Sequence, residues 1–255
     1  GNLGLAITTS GHGATNLVTS VCNAYFDSIP CIFISGQVAT FRLKPNKILR
    51  QKGFQETDVV SIFSSITNYS KQLENAQDIK YELQKAVYLA KSGRPGPVLL
   101  DIPDDLQRVE INPELLHSFE PPEIEKRKKA KDQDIKALFL SIQSSKRPVL
   151  ILGAGVRITK QEDAAIKFAR RFSLPVLLTW GGMDLMAHED EFNMGGVGVC
   201  GPRAGNFAAQ KSDLVIAIGT RLSQMITGGK QELFAPKAKK IMIDIDPEEL
   251  GKFGK

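Results

Sequence analysis

Thr8-Thr9-Ser10-Gly11-His12-Gly13-Ala14-Thr15-Asn16 is the stretch on which the reading of this chain turns. The apolar run Leu5-Ala6-Ile7 leads into it, and Leu17, Val18, Val21, Cys22, Tyr25 and Phe26 lead out at helical spacing. That order predicts strand, tight glycine turn and helix N-terminus. Gly11 and Gly13 admit backbone angles that other residues resist and leave room for a ligand to approach the main chain. The first helical turn then offers unpaired N–H groups and the positive end of the helix dipole. Ser10, Thr15 and Asn16 are small polar groups suited to completing such a site. By itself the pattern is more often no more than a turn.

The same alternation continues along the chain. Residues 31–35 form an apolar run bounded by Pro30 and Gly36, suited to a buried parallel strand, and 39–53 read as a basic exposed loop or irregular helix. A helix is predicted over 78–91, stopped by Ser92-Gly93-Arg94-Pro95-Gly96-Pro97, with a strand at 98–103. Further on, helices are expected at 135–142 and 161–172, and strands at 148–152, 175–179, 213–218 and 241–245. The reading is α/β: two doubly wound, mostly parallel-sheet domains, 1–110 and 133–255, joined by a proline-rich, charged linker at 111–132.

Bulk properties narrow the function classes. Of 255 residues, 42% are apolar and 24% charged, a globular composition. Much of the net charge of +5 comes from Lys126-Arg127-Lys128-Lys129 and Lys131. No aromatic residues interleave with that run, so it reads as solvated linker and not as a nucleic-acid surface. No apolar run is long enough to cross a bilayer, and no secretory signal pattern opens the chain. Cys22, Cys31 and Cys200 lack metal-ligand spacing and read as buried free thiols of a reducing compartment, the cytoplasm. His117 and His188 stand isolated among polar residues and read as surface groups.

The run from Thr9 to Val38, TSGHGATNLVTSVCNAYFDSIPCIFISGQV, resembles the N-terminal domain of thiamin-diphosphate enzymes of the acetolactate synthase type. In that family a TSGPGATN turn lies beside the aminopyrimidine of the cofactor, followed by D-S-x-P and I-(S/T)-G-Q. Asp27-Ser28-Ile29-Pro30 and Ile34-Ser35-Gly36-Gln37 match this continuation. The resemblance implies that Gly11, His12, Gly13 and Asn16 bind thiamin diphosphate, with titratable His12 in place of the family's proline. Phe54-Gln55-Glu56-Thr57 matches F-Q-E-T, whose glutamine points toward the reactive thiazolium, so the resemblance makes Gln55 catalytic. A side-chain amide donates and accepts there without adding charge. Read without the resemblance, Gln55 and Glu56 are first-turn residues of a helix. Arg94 matches the family wording with a structural task at the helix end, and Asn68 replaces the lysine that acetolactate synthases carry.

In the second domain the resemblance offers flavin adenine dinucleotide through Gly153-Ala154-Gly155, Thr179-Trp180, Gly219-Thr220-Arg221 and Asp244 at strand ends. Arg221 would neutralise a diphosphate and an acidic residue would take a ribose hydroxyl. The alternative is an empty scaffold, since Leu222-Ser223-Gln224-Met225-Ile226 replaces the F-D-D-R-V of acetolactate synthases. The wording at 180–185, 203–208 and 219–222 is more similar to acetolactate-synthase-like proteins of polysaccharide and branched-sugar pathways.

The implied enzyme decarboxylates a 2-oxo acid, pyruvate, and adds the acyl anion equivalent to a carbonyl acceptor. Its essential glutamate would precede position 1. Its G-D-G…N site for Mg²⁺ and diphosphate would follow position 255, so no metal site is expected here. The resemblance thus implies a fragment truncated at both ends, inactive alone, completed by a third domain or partner chain within a homodimer or homotetramer. A non-catalytic flavin- or nucleotide-binding module and a split-enzyme subunit are the other readings.

Overall fold

The computed structural model describes residues 2–46, 48–122 and 130–252. The basic run at 126–129 lies outside the described residues. The chain divides into two compact units, Gly1–Arg127 and Lys128–Lys255.

The first unit runs β1 (Gly4–Thr8), α1 (His12–Thr15), α2 (Val18–Phe26), β2 (Cys31–Gln37), α3 (Val59–Phe63), β3 (Tyr69–Gln72), α4 (Ile79–Lys91) and β4 (Pro97–Pro103). Its sheet is parallel throughout, in the order β1-β2-β4-β3. Alternation along the strands supplies two cores. Phe33 and Leu99 point to one face and pack with Ala14, Val21, Val59 and Phe63 from α1, α2 and α3. On the other face, Ile32, Val98 and Leu100 pack with Ala86 and Ala90 of α4. Full burial of a side chain such as Phe63 or Leu99 stabilises the fold by about 1.5–3 kcal/mol. Helix α4 ends where expected, because Gly93 takes a φ of 60°. The neighbouring Arg94 Nε donates to Ser28 Oγ at 2.9 Å, tying the start of β4 to the left-handed residue that follows α2. The expected strand at Leu5-Ala6-Ile7 forms, yet Leu5 is 62% and Ile7 72% exposed, since β1 is the sheet edge and α4 packs on β2, β3 and β4.

The second unit runs α5 (Asp132–Ser144), β5 (Pro148–Leu152), α6 (Ala154–Ile158), α7 (Glu162–Arg171), β6 (Val176–Leu178), β7 (Asn193–Gly196), α8 (Arg203–Lys211), β8 (Leu214–Ile218), α9 (Gln224–Thr227), β9 (Lys239–Ile243) and α10 (Pro247–Gly251). The parallel order is β7-β6-β5-β8-β9. From β5 the chain winds outward through β6 and β7, then crosses to β8 and β9 on the other side. The carboxyl ends of β5 and β8 therefore form the switch point where open α/β sheets bind ligands. Strand β9 starts two residues before the expected 241, because Lys239 pairs in register with Leu214 and its Nζ reaches Ser141 Oγ at 2.8 Å.

The cysteines correct the sequence reading. All three are free, but Cys22 and Cys31 are half-buried and Cys200 is exposed, in a glycine-flanked turn after β7. Among the described residues, no helix is long and apolar enough to cross a membrane.

Candidate functional site

The glycine turn sits at the carboxyl end of β1. Gly11 has φ 59° and ψ −114°, a region that residues with a side chain avoid. A Cβ on Gly13 would stand 2.6 Å from Thr9 Cγ2 and 2.8 Å from Thr8 Oγ1, so this turn is tight on both sides. The Thr15 hydroxyl donates to the His12 carbonyl, whereas His12 and Asn16 are exposed.

Gln55 lies against this turn. The point a Gly11 Cβ would occupy is 2.5 Å from the Gln55 carbonyl oxygen. Gln55 itself is left-handed, with φ 64°, a conformation that costs a non-glycine residue about 1–3 kcal/mol. It is not part of a helix. Asp58 caps α3 by accepting from Ser61 N at 3.1 Å and Ser61 Oγ at 2.6 Å, so the helix begins at Val59. That geometry overturns the first-turn reading of Gln55 and Glu56.

Two buried carboxylates that the sequence reading left without a role flank the Gln55 loop. Glu56 accepts backbone N–H groups from Lys44 at 2.7 Å, Lys52 at 2.8 Å and Gly53 at 3.2 Å. Burial works against its ionisation, but these donors and the Lys44 charge outweigh it and hold the pKa below the usual 4.5. Asp101, fully buried in β4, accepts from Ser35 Oγ at 2.6 Å and from Gln37 Nε2 and Gln72 Nε2, each at 2.9 Å. Burial pushes its carboxyl above the ordinary range, and the three donors only partly offset this. A signal for Asp101 was present in the sequence: one carboxylate within the apolar run Val98-Leu99-Leu100-Asp101-Ile102.

In the second unit the expected glycines do meet, at the carboxyl ends of β5 and β8. Gly155 N donates to the Gly219 carbonyl at 2.9 Å, and Gly153 N to the Ile218 carbonyl at 3.0 Å. A Cβ on Gly155 would stand 2.7 Å from Gly219 Cα, and one on Gly219 2.7 Å from Val156 N. The space these glycines free is filled by neighbouring backbone, so they serve packing and form no open cradle. Gly181 abuts Ala154 in the same way, which brings the Thr179-Trp180 loop alongside, with Trp180 73% exposed. Arg221 and Asp244 are half-buried at the ends of β8 and β9. Asp244 accepts from Asp246 N at 3.0 Å. Two other cavities of this unit, ≈ 440 Å³ beside Ser141 and Lys239 and ≈ 420 Å³ beside Arg147 and Phe207, contain none of these residues. Among the described residues, no three His, Cys, Asp or Glu side chains converge as a metal site.

Two parallel α/β units, the first with a strand-end glycine turn packed on a left-handed glutamine, define an open-sheet α/β class whose ligands bind at the carboxyl ends of the strands. Residues 1–62 match the family described as "Thiamine pyrophosphate enzyme, N-terminal TPP binding domain", and residues 135–254 match "Thiamine pyrophosphate enzyme, central domain". The chain belongs to the thiamine pyrophosphate (thiamin diphosphate) enzymes. It is 37% identical to a probable acetolactate synthase large subunit of Methanocaldococcus jannaschii, over 99% of this chain and 42% of that protein. Identity to the acetolactate synthase large subunit of Lactococcus lactis is 34%, over 100% of this chain and 43% of that protein. The chloroplastic acetolactate synthase of Arabidopsis thaliana is 36% identical, over 99% of this chain and 37% of its own length. The chain thus spans about two-fifths of the length of these relatives.

Proposed function

We propose that the chain supplies the pyrimidine-binding (1–110) and central (133–255) parts of a thiamin-diphosphate carboligase that decarboxylates pyruvate and transfers the acyl unit to a carbonyl acceptor. The observation that carries this reading is Gln55, held left-handed on Gly11 at the mouth of the β1 turn. The residues fit the ring portion of the cofactor, for Asn16 and Gln55 offer neutral donors and acceptors, and Gly11 lets the Gln55 backbone pack close against the turn. When bound, thiamin diphosphate supplies the electron sink for loss of CO₂. Gln55 would orient the reacting carbonyl by hydrogen bonding, and His12 would add a titratable group beside the ring. Mg²⁺ and the diphosphate would be held by a third domain or partner chain, within a homodimer or homotetramer. The three free thiols agree with a cytoplasmic setting.

In the central part we propose a flavin adenine dinucleotide at the β5/β8 switch point, where Arg221 would offer charge to the diphosphate and exposed Trp180 an apolar surface. The glycine turns would contribute shape there through packing.

The test is the native gene product that carries these residues, given pyruvate, thiamin diphosphate and Mg²⁺. CO₂ release with formation of a carboligated product is expected, together with flavin absorbance in the purified protein. Gln55→Ala should lower kcat at least about tenfold, within the range of acid–base and orienting groups. Absence of pyruvate turnover with added cofactor would refute the carboligase, and colourless protein that takes up no added flavin would refute the flavin site.

A further inference from the structure

Resting on that reading of Gln55, we infer that Asp101 and Gln37 form a buried clamp that sets the Gln55 loop in position. Both are positioning residues. Asp101 stands in the central strand β4, in register with Ser35 of β2 and Gln72 of β3. A carboxylate there is costly unless hydrogen bonds compensate it. Its Oδ2 receives one hydrogen of the Gln37 amide at 2.9 Å, and the same Nε2 sends its other hydrogen to the Thr57 carbonyl at 2.8 Å. Gln37 Oε1 in turn accepts from Val38 N at 3.0 Å.

The Gln37 amide therefore has one workable orientation. Turned over, its oxygen would face both the Asp101 carboxylate and the Thr57 carbonyl. Asp101 thus holds the donor that tethers Thr57, two residues beyond Gln55. On the other side, the Glu56 carboxylate gathers Lys44, Lys52 and Gly53. Gln55 lies between these anchors, and a strained left-handed residue persists only where its surroundings over-determine it.

Gln37→Met keeps the side-chain length and removes the tether. The pair Asp101→Asn with Gln37→Glu separates positioning from core stability. In that pair the introduced amide would donate to the introduced carboxylate and, with its other hydrogen, to a Gln72 amide turned over to present its oxygen, satisfying the core, but the carboxylate has no hydrogen for the Thr57 carbonyl. Amide hydrogen exchange of the full chain, read over 53–60 against 97–103, is the direct measurement. In both variants exchange over 53–60 should rise about five- to tenfold, the loss of one hydrogen bond, while the paired variant keeps parental exchange over 97–103. In the active enzyme kcat should fall with KM little changed. Unchanged exchange over 53–60 in the paired variant would overturn the clamp, as would raised exchange with unaltered kcat. Raised exchange in a protein whose parent turns over no pyruvate would support the tether and refute only the carboligase reading.

Discussion

Gln55 and Gly11 meet backbone to backbone: the Gln55 carbonyl oxygen is 2.5 Å and its Cβ 3.0 Å from where a Gly11 Cβ would stand. Both residues are left-handed, at φ 64° and 59°. The glycine turn and the F-Q-E-T loop, 44 positions apart in number, are therefore one structural object. Gly11→Ala should cost about 1–3 kcal/mol through backbone strain alone, with a further loss from the collision. Denaturant unfolding measures it. Unchanged stability would mean that the two loops part easily, and the proposed site would then lack a fixed geometry.

Glu56 makes the same region sensitive to acid. Its folded pKa lies below the usual 4.5, so under acid the unfolded chain binds more protons than the folded one. The stability it contributes is fully present above about pH 4.5 and is lost as pH falls through the depressed folded value. Proteolytic nicking within 44–53 should rise across that window while the β4 core persists. Glu56→Gln should remove the pH dependence and loosen the loop at neutral pH, by about 1–3 kcal/mol for donors left unsatisfied. Equal nicking of parent and variant at pH 7 would contradict this account.

The elements that were legible share a local cause. Pro148-Val149-Leu150-Ile151-Leu152 and Val98-Leu99-Leu100 are central parallel strands, buried on both faces, and read as continuous apolar runs. Strands β3, Tyr-Ser-Lys-Gln, and β7, Asn-Met-Gly-Gly, escaped because edge strands are fixed by pairing and carry little apolar signal. The site divides similarly. Gly11, Gly13 and the Gly153–Gly155 turn announce themselves, because glycine marks where the backbone must bend or approach closely. Asp101 gives a partial signal, as one carboxylate within an apolar run, and Glu56 gives none. Their partners extend to 12 and 66 residues away, and it is those distant contacts that bury the carboxylates with donors around them. The exposure of Cys200 was hidden for the same reason, since burial belongs to the fold and not to the residue type.

In the second unit, Gly219 separates packing from ligand chemistry. It has φ 60°, and an added Cβ would reach Val156 N at 2.7 Å. Gly219→Ala should destabilise this unit by about 1–3 kcal/mol, seen as faster exchange in β5 and β8. Exposed Trp180→Ala should change stability by less than about 0.5 kcal/mol yet lower flavin retention. If Gly219→Ala left the unit as stable as the parent, the interlocked backbones would not be holding these strand ends. Full flavin retention in Trp180→Ala would remove the indole from the proposed contact.

At the opposite end of the same sheet, Asp213 staples two segments. It accepts from Ser145 Oγ, from Lys146 N at 2.9 Å and from Arg147 N at 3.0 Å, joining the residues between α5 and β5 to the start of β8. The Ser145 hydroxyl is the main cause that lowers its pKa, from 3.8 to about 2, with burial opposing and the backbone donors assisting. A depressed carboxyl contributes stability above its unfolded value and loses it as pH falls through its folded value. The window here is pH 3.8 down to about 2. Stability measured stepwise across that interval should therefore fall in the parent. Asp213→Asn should start lower at neutral pH and show a shallower fall. Ser145→Ala should make the loss smaller and complete it at higher pH, because removing the strongest donor returns the folded pKa toward 3.8. Identical acid profiles for Ser145→Ala and the parent would show that the backbone donors alone hold the carboxylate ionised.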